Sequence, residues 1–227
     1  RKVAPIRWNT PTFAEVGMAL GHAMHEPAAA FELRVRPRVE QSPSYSWRVG
    51  RSSWLRFRSP WLRLDDTVLA RMTEPSDAGP DTPTIVFGSG VFVEWDMLSD
   101  FSVVERFLAK RGFRVIELVS PYHGRRRKPG YYGGEMFFAA APLGPVDVLV
   151  GQALETAVLV RFARETFGGK VAVAGISMGA LAAQLSAAYC DRWPVDCRPD
   201  AALLIAHSGR LETVAFEGSL TRALGLP

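Results

Sequence analysis

Cysteine is almost absent: Cys190 and Cys197 are the only two thiols in 227 residues, and histidine occurs only four times. That supply makes neither a disulfide-dense scaffold nor a Cys/His zinc site. The two thiols read as reduced and structural, with a local bridge across the intervening "DRWPVD" as the alternative. Long hydrophobic runs are also missing. A membrane span needs about 18 or more apolar residues with few charges, and the early apolar stretch from Phe13 to Phe31 is broken by Glu15, His22, His25 and Glu26. It lacks the basic-then-apolar layout of a signal peptide as well. Charge of one sign is in little excess, at +4. Only "GRRRK", Gly124 to Lys128, concentrates it, so the broad cationic face of a nucleic-acid binder is not expected. Neither G-x-G-x-x-G nor G-x-x-x-x-G-K-[ST] is present, which removes the usual phosphate-cradling loops. The expectation is a cytoplasmic or peripherally membrane-associated protein with no transmembrane segment, metal, cofactor or nucleic-acid partner.

What is present is apolar sequence, 48% of the chain, enough for one α/β domain with a substantial core. "TFAEVGMALGHAMHEP" predicts a first helix, with Thr12 and Glu15 as a capping box and Pro27 as its stop. Residues 1–30 form this N-terminal helical segment and residues 31–227 the core. "FELRVRPRVEQ", "YSWRVGRSSWLRFRSP" and "TVLARMTEP" alternate at period two, as half-exposed antiparallel strands do, and prolines keep them at an edge. "EPSDAGPDTP", Glu74 to Pro83, reads as a linker.

Beyond the linker, apolar strands alternate with helices. The strands are "TIVFGSG", "FRVIELVS", "KVAVAG" and "DAALLIAHSG"; the helices include "DMLSDFSVVERFLAKRG" and "VDVLVGQALETAVLVRFARETFGG". Such alternation predicts a mostly parallel sheet with helices on both faces, plus antiparallel strands at the N-terminal edge. The chain opens at Arg1 rather than methionine and closes at Pro227 within a pattern. It therefore reads as a fragment lacking C-terminal sequence.

The chemistry centres on "VAGISMGA". A G-x-S-x-G match alone is weak, but here it lies between a strand, Val171 to Ala174, and a helix from Met178. That is the setting of a nucleophile elbow. Glycines on either side let a strained serine turn bring strand and helix together. The bland alternative is a small-residue turn in which Ser177 only caps the helix. An acyl-transfer site also needs oxyanion donors: the backbone N–H of Met178 at the helix N-terminus, and that of Ser89 or Gly90 in "FGSG". The competing reading of "FGSG" is an ordinary glycine turn.

"SPYHGRRRKPGYYGGEMF" follows a parallel strand at the end where open α/β sheets bind ligands. His123 and Arg125 to Arg127 then face a substrate bearing carboxylate or phosphate, or form a turn and a solvated charge run. Tyr131, Tyr132, Phe137 and Phe138 suit an apolar, lipid-accepting pocket or simply the core.

The succession "TIVFGSG", "SPYHGRRRKP", "VAGISMGA" resembles the α/β-hydrolase superfamily. Within it the chain is similar to the group typified by α/β-hydrolase domain-containing protein 18, over about Thr84 to Ser208. That group carries a glycine-threonine-glycine-type loop, a P-Y-x-G-x-R-x-P-like segment and a G-I-S-M-G elbow; His123 stands where it has a second tyrosine. The resemblance implies hydrolysis of an ester, thioester or related acyl bond of a small-molecule or lipid substrate. It also implies an acid and a histidine after Ser177 in chain order. His207 is the only histidine that follows the serine, and it reads as a pocket residue. Asp191, Asp196 and Asp200 fall behind the sheet by this topology, and Glu212 and Glu217 would be unorthodox acids. A non-catalytic binding protein of the same fold, and an acyltransferase or thioesterase using the same elbow, are the competing functions.

Overall fold

Strands that are apolar on both sides need cover on both sides, and that requirement sets the architecture. The computed structural model describes residues 6–47, 50–91, 102–210, 213–214 and 217–218. One sheet holds β1 (Glu40–Gln41), β2 (Tyr45–Trp47), β3 (Gly50–Arg58), β4 (Thr67–Pro75), β5 (Thr84–Gly88), β6 (Arg114–Leu118), β7 (Val171–Ile176) and β8 (Ala201–Ile205). Their order is β1-β3-β4-β6-β5-β7-β8, with β2 paired to β3. The β3–β4 and β4–β6 pairs are antiparallel, whereas β6, β5, β7 and β8 run parallel. This is the mostly parallel sheet with an antiparallel N-terminal edge that the sequence pattern predicts.

The helices are α1 (Phe13–Leu20), α2 (Ser102–Ala109), α3 (Glu135–Ala139), α4 (Leu143–Phe167) and α5 (Met178–Tyr189). Successive strand residues point to opposite faces, and the core divides accordingly. Val86, Ile116, Leu118 and Val173 pack with Val158 and Leu159 of α4 and Ala183 of α5. Ile85, Phe87, Val115 and Ala174 pack on the other face with Val104 and Leu108 of α2. Helix α4 is long and apolar enough to cross a membrane, but its most apolar stretch is 83% buried within the fold. A helix apolar all round is what a fully enclosed position requires.

Several sequence boundaries shift. The Thr12–Glu15 capping box forms, yet the α-helix stops at Leu20, and 3-10 turns carry the chain from Gly21 to Phe31. Of "FELRVRPRVEQ", only Glu40–Gln41 joins the sheet. The linker begins later than Glu74, because β4 continues through Pro75. Glu74 is buried, and it accepts from Arg51 (3.2 Å) and from Arg114 Nε (3.3 Å). The predicted "DMLSDFSVVERFLAKRG" helix appears as Ser102–Ala109; residues 92–101 lie outside the described residues. Both cysteines are free, and Cys197 is buried.

Arg126 belongs to a run expected to be solvated or substrate-facing, and it is instead interior, with its side chain 1% exposed. Its Nε and Nη2 donate to Asp66 at 2.8 and 3.0 Å. Nη1 and Nη2 donate to Glu155 of α4 at 2.8 and 2.7 Å, and Nη1 also to the Val119 carbonyl at 2.8 Å. Burial alone would lower the guanidinium pKa, but Glu155 and Asp66 outweigh it and raise it. The fork joins the β3–β4 connection, the segment after β6, and α4. Removing one partner of a buried pair strands the other charge. Arg126→Met is therefore expected to cost about 3–5 kcal/mol of unfolding free energy, whereas exposed Arg125→Met stays within about 0.5 kcal/mol. Urea denaturation of the two variants checks this.

Candidate active site

Between the last residue of β7 and the first of α5, Ser177 adopts φ 54° and ψ −118°. A non-glycine residue there carries strain of order 1–3 kcal/mol that its surroundings must impose. The imposing contacts are glycines. A Cβ on Gly175 would lie 2.2 Å from the Gly179 carbonyl, and one on Gly179 would lie 2.1 Å from the Gly88 oxygen. The first turn of α5 thus rests against β7 and the end of β5 with no room for a methyl group. Ser177 N–H donates to the Ile205 carbonyl at 3.0 Å, tying the turn to β8, and its own carbonyl accepts from Ala180 and Leu181. The side chain is exposed.

Met178 opens α5 and is buried. As the first helical residue, its N–H has no intrahelical acceptor, and it sits at the positive end of the helix dipole. The second element expected at the oxyanion site, the loop after β5, does reach the serine. A Cβ on Gly90 would stand 3.5 Å from Ser177 Cβ and 4.0 Å from Oγ. Ser89, named with Gly90 as a donor, turns its side chain away from the elbow: its hydroxyl donates to Glu117 Oε1 at 2.6 Å. Gly90 is therefore the loop residue packed on Ser177.

The sequence reading missed Glu117. It lies in β6, with Phe87 of β5 and Arg71 of β4 as its register partners, on the sheet face covered by α2. Arg71 forms a forked pair with Glu105 of α2, Nε to Oε1 at 3.1 Å. Burial, then the neighbouring Glu105 carboxylate, raise the Glu117 pKa well above the ordinary carboxylate range, against the opposing pull of Ser89 and Arg71. A lone carboxylate inside the apolar run "FRVIELVS" was the available signal.

The remaining candidates are dispersed. His123 is 1% exposed, so it does not face a substrate; its Nδ1 pairs with the Pro121 carbonyl at 2.8 Å. Arg125 and Arg127 are exposed and, with Lys128 and Tyr122, border a recess of about 320 Å³ at the ends of β4 and β6, apart from Ser177. His207 does not meet the serine: its Nε2 pairs with Gln184 Oε1 at 2.7 Å, about two turns along α5. Asp200 accepts from the Val171 N–H at 2.8 Å, at the opposite end of β7 from Ser177, and pairs with Arg164 and Lys170. Asp196 pairs with Arg36. Glu212 lies outside the described residues. Tyr131 and Phe137 pack in the cluster that contains Met178 and Val91, beside the elbow; Tyr132 is 52% exposed. Among the described residues no three metal-ligating side chains come together.

Burial pushes the His123 pKa down to about 4, with Arg126 adding to the shift and the Pro121 contact opposing it. The folded protein keeps this imidazole neutral while the unfolded chain takes up a proton near the ordinary value of about 6.5. Stability is therefore complete above that value and is lost as pH falls toward 4. Between pH 7 and 4.5 the native protein is expected to lose about 2 kcal/mol more than a His123→Asn variant, measured by urea denaturation at both pH values.

No protein-family profile matches the chain, and no curated protein sequence matches it. Solved structures do. Acetyl xylan esterase 1 from a Thermoanaerobacterium species superposes with a TM-score of 0.54 at 18% identity, over 74% of this chain and 53% of that one. A cold-adapted esterase from an Arctic intertidal metagenomic library gives 0.53 at 16% identity, over 71% and 63%. An acetyl xylan esterase from a Paenibacillus species gives 0.53 at 15% identity, over 88% and 61%. The chain spans between about half and just under two thirds of the length of these structures. With the strand order, the crossover helices and the turn at Ser177, the likeness shows that the chain has the α/β-hydrolase fold.

Proposed function

We propose that the protein is a serine hydrolase that cleaves an ester or related acyl bond through an acyl-enzyme on Ser177. The observation that carries this reading is the strained serine at the strand–helix turn with Gly90 packed against it. Such strain is retained where it serves a site. Ser177 Oγ attacks the acyl carbon and gives up its proton to a base. The N–H of Met178 and an N–H of the Ser89–Gly90 loop receive the oxyanion of the tetrahedral intermediate. The intermediate collapses as the base returns that proton to the leaving oxygen, which departs as the alcohol; water, deprotonated by the same base, then attacks the acyl-enzyme, and the acid leaves as Ser177 Oγ is reprotonated. The histidine and its acid are assigned to sequence following Pro227, in keeping with the greater length of the superposing esterases. The apolar side chains of Tyr131, Phe137 and Val91 beside Met178 suit the acyl part of a substrate, lipid-like or short. Acetyl esters, named for two of the superposing enzymes, are the first substrates to try. The segment "PYHGRRRKP" and the G-I-S-M-G turn support, in this reading, a kinship with the group typified by α/β-hydrolase domain-containing protein 18.

A second reading, a binding protein that keeps the fold without the chemistry, is favoured by one observation: His207 is engaged by Gln184 rather than by Ser177. An acyltransferase or thioesterase would use the same serine and donors. A fluorophosphonate probe applied to the full-length protein separates catalysis from binding. The hydrolase reading expects stoichiometric labelling of the native protein and none of Ser177→Ala. It also expects p-nitrophenyl acetate turnover to fall by at least about 10³-fold in that variant. Absence of labelling in the native protein would establish the binding reading instead.

A further inference from the structure

The strongest unassigned feature is the buried carboxyl of Glu117. Its Oε1 accepts from Ser89 Oγ at 2.6 Å, and its Oε2, also buried, receives no hydrogen bond from a donor among the described residues. Glu105, presented by α2, is 1% exposed and held by Arg71 of β4. Ser89, Glu117, Glu105 and Arg71 thus make a continuous polar line beneath the β5 loop, inside a face otherwise packed by Ile85, Phe87, Val115 and Ala174. A polar group is costly in such surroundings unless it holds something. The loop it meets carries Gly90, the residue packed on Ser177.

Here, resting on the hydrolase reading above, we propose that Glu117 is a positioning residue: by holding the Ser89 hydroxyl it fixes where the Ser89–Gly90 backbone N–H groups lie relative to Ser177. Gly90 has no side chain with which to anchor itself, so its placement depends on its neighbours. On one side lies β5, clamped by Gly88 against Gly179, and on the other Val91, packed in the Met178 cluster; the Ser89 side chain, held by Glu117, is a further restraint. Among the described residues, the groups facing Glu117 are the Glu105 carboxylate from α2, the Arg71 guanidinium from β4 and the uncharged Ser89 hydroxyl from the β5 loop. Burial and Glu105 favour the protonated form, whose Oε1 accepts from Ser89 while its remaining proton lies toward Glu105. The sign follows from the raised value. The stability contributed by the protonated form is complete below the ordinary carboxylate range and is lost as pH rises through the folded-state value. Ionisation would put two carboxylates side by side beneath the loop.

The test uses the full-length protein and two readouts, the rate of fluorophosphonate labelling at Ser177 and amide hydrogen exchange in the peptide covering 84–91. Glu117→Leu and Ser89→Ala are expected to slow labelling by about tenfold or more, because small displacements of an oxyanion donor are costly. Both should speed exchange at 84–91, and the double variant should be little slower than either alone, since one interaction is removed twice. Glu117→Gln keeps an acceptor for Ser89 and a donor toward Glu105, so it should restore labelling to within about threefold. It should also abolish the loss of labelling and of thermal stability with rising pH that ionisation of Glu117 is expected to cause in the native protein. Wild-type labelling and exchange in Glu117→Leu and Ser89→Ala would overturn the proposal, as would additive losses in the double variant. If the native protein is never labelled, the hydrolase reading fails by itself, and exchange at 84–91 still decides whether Glu117 holds the loop.

Discussion

The contact on which the site depends is the close approach of helix α5 to strands β5 and β7, made possible by three missing side chains. A Cβ on Gly175 would strike the Gly179 carbonyl and one on Gly179 the Gly88 carbonyl, while one on Gly88 would stand 3.2 Å from Gly179 Cα and 2.3 Å from Gln152 Nε2. This approach forces the chain to reverse within one residue, leaving Ser177 in a conformation it would not choose for itself. The same approach brings the β5 loop to the helix N-terminus, so Ser177 and the candidate oxyanion donors are placed by one packing event. Strand order does the rest: β5 and β7 are neighbours although α2, β6, α3 and α4 separate them in sequence.

Charge inside the molecule is organised by the same logic of joining distant segments. Arg126 at the carboxyl ends of the parallel strands connects Asp66, Val119 and Glu155. Arg114 at their amino ends connects Glu74 with the carbonyls of Gly79 and Thr82. Arg71 bridges the antiparallel part of the sheet to α2 through Glu105. Each planar guanidinium reaches several acceptors at once, which an ammonium could not do with the same geometry. Apolar packing holds the layers together, and these forks hold the connections to the layers.

The fold was legible because burial on both faces leaves a direct trace: continuous apolar strands alternating with long helices. The tight strand–helix turn was legible because the G-I-S-M-G spacing reports a steric requirement rather than a chemical one. Side-chain destinations were not. Nothing in "YHGRRRK" distinguishes buried Arg126 from exposed Arg125, because the difference arises from Asp66 and Glu155, 60 and 29 residues away in sequence. Likewise His123 was read as facing the substrate and is buried, since local sequence gives the strand end but not the direction of a side chain beyond it. Glu74 was assigned to a linker on composition, and its place in β4 depends on Arg114, again a long-range partner.

The outermost parallel strand has a practical consequence. Leu203, Leu204 and Ile205 of β8 are 56%, 37% and 40% exposed, and only the β7 side of the strand is paired among the described residues. An uncharged, apolar strand edge is a template on which other chains can add their own backbone. Handled in isolation, this polypeptide is expected to be limited less by folding than by colloidal behaviour. Its concentration ceiling and its need for detergent or a fusion partner would then be properties of five residues, Ala201–Ile205, rather than of the turn at Ser177.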